Sequence, residues 1–449
     1  MVRSGALSAR SLIETTLRRI ERFDGSINAY RVVMGETAMA AAEHVDALSE
    51  GARASLPLAG VAVAIKDDTD VEGQLTAWGS SAHRGICERD SDVVARLRRA
   101  GAVIIGKTNV PELTLWPWTA SKCWGVTRNP WATERTPGGS SGGSAAAVCT
   151  GMAAMALGSD GGGSVRYPAG LTGLVGLKPQ RDRVPIGPEH HSGWHGLLVL
   201  GPLTRSVRDA ALFLDIASGA GTIFRDAAIP RPERLRIAIS TNAPPGTRVS
   251  LSKAGRNAVD GAAAMLSDLG HDVVEININY GLASLWDSTV RLLIGVRDDA
   301  ASLPARTDLE RRTRSVARLG ALLPSRSLSS ALRREVAMAA SMNTVFDRAD
   351  VVLTPLCAEP APRLEDCPDT GAIRSLRKAN TSAWLVPWNA IGQPAIAVPV
   401  GIDEHGLPTA VQLAGRAGDE ATLLGVAAEI EASHPFPRWT APSRPTPQR

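Results

Sequence analysis

Two glycine/serine clusters, Gly138-Gly139-Ser140-Ser141-Gly142-Gly143-Ser144 and Asp160-Gly161-Gly162-Gly163-Ser164, interrupt the most apolar and most regularly patterned third of the chain. Such composition is typical of flexible linkers, but a linker joins domains and does not break into a core. The clusters also bracket a stretch of high helix propensity, Ala145-Ala146-Ala147-Val148 with Met152-Ala153-Ala154-Met155, which predicts a helix over about residues 143–155. They therefore read as tight turns inside a packed fold, where hydroxyls stand beside amides that no side chain shields.

The surrounding pattern sets the fold class. Val61-Ala62-Val63-Ala64-Ile65 is short, partly β-branched and bounded by Gly60 and Asp67-Asp68, as a buried strand should be. A helix over about 90–100 and a second strand at Val103-Ile104-Ile105 follow. Strand, helix, strand implies an α/β protein with a partly parallel sheet and helices packed on its faces. Further strands are expected at Leu235–Ile239, Val273–Ile276, Val351–Leu353 and Ala395–Val398, with helices near 8–22, 36–49, 207–214, 254–268 and 420–432. Residues 281–348 read as a helical, Arg-rich insertion and Pro230-Arg231-Pro232 as a linker. One large domain over 1–434 with a frayed, Pro-rich tail over 435–449 fits this pattern.

Composition narrows the function. A net charge of +4 spread over both signs in 449 residues does not suit nucleic acid. Five scattered cysteines without CxxC spacing argue against a disulfide framework or a zinc site, and no apolar stretch reaches membrane-span length. A cytoplasmic protein with no cofactor and no metal is expected. His191 and His195 are four apart, but Gly193 between them predicts a loop, and no carboxylate completes a metal set.

The clusters themselves admit few chemistries. A phosphate loop needs a Lys after the glycines, and neither cluster has one. Gly139-Ser140-Ser141-Gly142-Gly143 fits GxSxG, yet the preceding Asn129–Pro137 cannot be the strand a nucleophile elbow requires. Acyl transfer needs a nucleophile, a base and oxyanion donors. Ser164 follows three glycine amides, Ser140 or Ser141 can relay a proton, and Lys66, one of only six lysines, ends an apolar run. A lysine serves as a base only when its surroundings lower its pKa, and an ion pair of Lys66 with Asp67, Asp68 or Asp70 is the competing reading.

The block from Gly60 to Gln180 resembles the amidase signature family in several ordered segments. These are Gly60–Asp67 with its lysine, Gly106-Lys107-Thr108-Asn109-Val110-Pro111-Glu112, Asn129-Pro130-Trp131, Thr136–Ala146, Gly158–Ala169 and Gly173–Pro179. Weaker similarity extends to Asn389–Pro394, Gly406-Leu407-Pro408 and Val411-Gln412-Leu413. The resemblance implies Ser164 as nucleophile, Ser140 as a bridging serine after a cis peptide bond, Lys66 as base, and an oxyanion hole of Gly161, Gly162 and Gly163, with Ser164 itself a further donor. It implies an α/β fold of one large domain, a mixed, largely parallel twisted sheet covered by helices on both faces, and hydrolysis of a carboxamide through an acyl-enzyme, with Asp160 and Arg166 as scaffolding. Two positions depart from the family: Gly161 replaces a usual Thr or Ile, implying a looser loop, and Asp68 replaces a common Asn, implying a higher Lys66 pKa. The expected partner is a small-molecule amide, with no nucleic acid and no membrane; a homodimer is compatible with the chain. The alternative within the family is the glutaminase subunit of a tRNA-dependent amidotransferase. That chain is expected to carry a carboxylate just before the Asn389 motif, and Asn380–Trp388 has none. Trp116, Trp118 and Trp124 are candidates for an acyl pocket, with core packing as the other reading.

Overall fold

The computed structural model describes the chain except residues 84, 231–232, 305–307, 368–374, 377–381 and 442–449. Part of the expected linker, Asn380 and Thr381, and the end of the Pro-rich tail lie outside the described residues. Among the described residues thirteen strands run in order: β1 Tyr30–Val33, β2 Ala62–Lys66, β3 Val103–Thr108, β4 Ala120–Ser121, β5 Gly125–Val126, β6 Met155–Asp160, β7 Val175–Lys178, β8 Val199–Thr204, β9 Arg236–Ile239, β10 Asp272–Glu275, β11 Val351–Pro355, β12 Ala395–Ile402 and β13 Pro408–Ala414. Eleven form one sheet in the order β1-β3-β2-β6-β8-β7-β12-β13-β11-β9-β10, and β4 pairs with β5 apart from it.

Parallel pairing occurs in two triplets, β3-β2-β6 and β11-β9-β10. Antiparallel strands from β6 through β8, β7, β12 and β13 to β11 join them. The local strand-helix-strand pattern reported the triplets and not this antiparallel centre, because long-range pairing leaves no mark on neighbouring residues.

Alternation within the strands explains how both faces are covered. Val63 and Ile65 pack into one apolar cluster with Leu97, Phe213 and Leu424. Ala62 and Ala64 pack into another with Ile13, Ala146 and Val148. Small residues on the second face let the helix Gly142–Cys149, every residue of which is buried, lie close against the sheet. That helix is shorter than predicted. Met155, placed by propensity at its end, instead opens β6, the strand that leads into the second cluster.

Residues 281–348 contain the helices Ser284–Ser302, Arg311–Ala321 and Ser325–Asn343. Several arginines there are exposed, among them Arg311, Arg318, Arg326 and Arg333, but Arg291 and Arg312 are buried, and the Arg312 guanidinium lies over the Trp116 and Trp118 rings, 5.4 and 5.9 Å from their centroids. The start of the tail is anchored rather than frayed: Phe436 is buried and the Trp439 indole donates to the Pro130 carbonyl at 2.7 Å.

Candidate active site

Lys66 ends β2 in register with Ala62 and Ala64, on the side of the sheet that carries the Gly142–Cys149 helix. Its side chain is fully buried. Nζ lies 2.8 Å from Ser140 Oγ, 2.6 Å from Ser159 Oγ, 3.3 Å from the Ser159 carbonyl and 3.3 Å from Asp68 Oδ2. Burial pushes the Lys66 pKa down, while Asp68 and Asp160 push it up; burial wins. Lys66 thus meets a serine and a carboxylate together. Asp68 opposes the shift as expected without reversing it.

Ser140 is buried and follows a cis Gly139–Ser140 bond, as the family resemblance implied. Gly139 has no room for a side chain: a Cβ there would stand 2.5 Å from the Trp116 carbonyl oxygen and 2.7 Å from the Trp118 amide nitrogen. Thr119 staples the turn, donating its hydroxyl to the Gly138 carbonyl at 2.9 Å and accepting from the Gly142 amide at 3.1 Å. The Ser141 amide donates to the Ser164 carbonyl at 3.2 Å, which ties the two clusters together.

The second cluster turns at the end of β6 around Asp160. Its carboxylate accepts from the amides of Gly163 at 2.7 Å and Val165 at 3.1 Å, and from Arg166 Nη2 at 2.8 Å. Burial alone would raise this carboxyl, but Arg166 and the Asn389 amide outweigh it and hold Asp160 well below the usual carboxylate range. Arg166 also donates to the Leu385 carbonyl, Gln412 Oε1 and Asn389 Oδ1 at 3.0, 2.5 and 2.6 Å. The scaffolding role expected of Asp160 and Arg166 is what this geometry provides. One expectation needs correction. The three glycine amides are not equivalent, because Gly163 already spends its N–H on Asp160, leaving Gly161 and Gly162 as the glycine candidates for an oxyanion.

Sequence reasoning missed Ser159, Thr119, Asn389 and Gln412 as parts of this assembly. Ser159 stood inside a quoted motif, yet only its position beside Lys66 gives it a role. Trp116 and Trp118 are buried and stacked, with ring centroids 5.6 Å apart, and their backbone lies against the Ser140 turn at Gly139. Trp124 lies apart from them and packs under Arg31. His195 pairs with Asp298 at 3.0 Å, and His191 is exposed. Among the described residues no group of His, Cys, Asp and Glu is arranged to hold a metal ion.

A buried lysine, a serine after a cis bond and a Gly-Gly-Gly-Ser turn are the parts that acyl transfer needs. The amidase family pattern matches residues 11–424. The chain belongs to the amidase family. This amidase is 47% identical over 441 residues to the candidate amidase AmiB2 of Mycobacterium tuberculosis, covering 97% of this chain and 95% of that one. A solved 6-aminohexanoate cyclic dimer hydrolase superposes with a TM-score of 0.85 at 29% identity, covering 97% of this chain and 95% of that one. A solved chain of the glutamyl-tRNA(Gln) amidotransferase from Thermotoga maritima superposes with a TM-score of 0.76 at 27% identity, covering 95% of this chain and 92% of that one. This amidase is accordingly a hydrolase of amide C–N bonds.

Proposed function

We propose that this amidase works alone on small apolar or aryl carboxamides, giving a carboxylate and ammonia or an amine through a Ser164 acyl-enzyme. Ser164 Oγ attacks the substrate carbonyl carbon while its proton passes to Ser140, and the Ser140 proton passes to neutral Lys66. The oxyanion is received by the amides of Gly161 and Gly162 together with that of Ser164, while Gly163 holds the turn through Asp160. Lys66 returns the proton through Ser140 to the leaving nitrogen. The amine departs, and water then opens the ester by the same relay.

The observation that carries this reading is the 2.8 Å contact between Lys66 Nζ and Ser140 Oγ in a site where burial lowers the lysine pKa. The apolar preference rests on the stacked Trp116 and Trp118, whose backbone adjoins the Ser140 turn at Gly139. A glutamine site would need paired charges for the amino acid head group, and the described residues 382–388 offer no carboxylate.

The test is ammonia and amine release from an aliphatic amide, benzamide, an aryl anilide, the 6-aminohexanoate cyclic dimer and glutamine. Turnover of the apolar amides that falls at least about 10³-fold in Ser164→Ala supports the reading. Cleavage of glutamine alone would replace it with the glutaminase of an amidotransferase.

A further inference from the structure

We infer that Asp68 and Ser159 form a positioning pair that fixes which valence of Lys66 faces Ser140. This rests on the proposed Ser164-Ser140-Lys66 relay. The argument is a count of protons. Asp68 Oδ2 lies 2.5 Å from Ser159 Oγ and is itself only an acceptor when ionised. Burial alone would raise the Asp68 carboxyl, but Lys66, His190 and the Ser159 hydroxyl outweigh it and hold Asp68 below its ordinary value. The Ser159 proton is therefore committed to Asp68, and Ser159 Oγ can only accept from Lys66, 2.6 Å away.

A neutral lysine has two N–H bonds and one lone pair. One N–H goes to Ser159 Oγ. The other is directed to the Ser159 carbonyl at 3.3 Å, while Asp68 Oδ2, also at 3.3 Å, lies on the side of Ser159 Oγ and faces the first N–H. The remaining direction, toward Ser140 Oγ at 2.8 Å, holds the lone pair. A base must present its lone pair to the proton it removes, so this arrangement sets Lys66 in the receiving orientation. Without Asp68, the Ser159 hydroxyl would be free to turn its own proton onto that lone pair and compete with Ser140. Thr69 steadies the carboxylate by donating to Asp68 Oδ1 at 3.2 Å. Lys66, when protonated, and the His190 ring are the titratable groups that face Asp68; Asp68 and Asp160 are the anions that act on Lys66.

The test uses a fluorophosphonate, which phosphonylates an activated serine with loss of fluoride and needs no knowledge of the substrate. Labelling rates at Ser164 are measured against pH in the full-length protein, with folding of each variant checked by thermal melting. In the wild type Ser164 is labelled, and Lys66→Ala abolishes labelling. Ser159→Ala and Asp68→Ala slow the alkaline plateau about 10- to 100-fold while still labelling every folded molecule. Asp68→Asn keeps an acceptor for Ser159, so its plateau stays within about threefold of wild type. Its rise with pH moves lower, because the charge that raised the Lys66 pKa is gone. Wild-type plateau rates in Ser159→Ala, with Lys66→Ala silent, would overturn the pair and leave the relay standing. Should Ser159→Ala not fold, Asp68→Asn as slow as Asp68→Ala would overturn it equally. An unlabelled wild type, or a fully active Lys66→Ala, would overturn both readings.

Discussion

The Trp194 ring fills the volume that a side chain at Gly161 would occupy: a Cβ on Gly161 would stand 2.7 Å from Trp194 Cε3. On its other side the indole meets Gly295 of the helix Ser284–Ser302, where a Cβ would stand 2.8 Å from Cδ1. The Trp194 N–H donates to Asp299 Oδ2 at 2.9 Å, which locks the ring in the slot. The sequence alone suggested that glycine at 161 would loosen the nucleophile turn. A neighbour supplies the missing bulk instead, and through it the helical insertion braces the turn.

Restoring the family's usual threonine should therefore harm this amidase. Gly161→Thr is expected to lower kcat about 10- to 100-fold by displacing the turn. Adding Trp194→Ala should return part of the loss, since the two residues compete for one space. Kinetics of the two single variants and the double variant measure that coupling, and additive losses would contradict it.

Activity should rise with pH as Lys66 loses its proton. Burial places that limb below the 10.5 of an ordinary lysine. A profile of kcat/KM against pH is the measurement. Loss of activity on moving from neutral to about pH 10 before any unfolding would contradict a neutral Lys66 as base.

Lys178 gives a stability prediction with a definite sign. It is fully buried, its ammonium donates to the Pro179 carbonyl at 3.0 Å, and burial with help from Arg166 brings its pKa down to about 7. The unfolded chain keeps the Lys178 proton up to the ordinary 10.5, so the folded state is penalised fully below pH 7. That penalty fades as pH rises from 7 to 10.5. Lys178→Met should thus raise the melting temperature relative to wild type most at about pH 6 and least at about pH 10. A pH-independent difference would contradict it.

Asp160 has the opposite sign. Its depressed folded pKa means that its stabilisation is present above the usual carboxylate range and disappears as pH falls through that range and below. Arg166→Met leaves the carboxylate buried without its ion partner and should cost about 3–5 kcal/mol in urea unfolding. Asp160→Asn should lose the acid-side dependence along with the stability.

How much of this was legible in the sequence depended on the range of each signal. Lys66 was visible because a lysine is rare beside five apolar residues, and Ser140 and Ser164 because their glycines are costly anywhere but in turns. β6 was not, since Met and Ala favour helix locally and only pairing with β2 and β8 makes Met155–Asp160 a strand. Ser159 looked inert for a similar reason. Its importance lies in meeting residues 91 and 93 positions earlier, Asp68 and Lys66. The net direction of the Lys66 shift also required structure. Sequence supplied the opposing carboxylate but not the completeness of burial that outweighs it.

The network around Arg166 has a bearing on how the protein is made. Every group proposed to react has joined the growing chain once residue 164 is synthesised, yet Asn389 and Gln412, which grip Arg166 and through it Asp160, come more than 200 residues later. A nascent or truncated chain thus carries the chemistry without the frame that aims it.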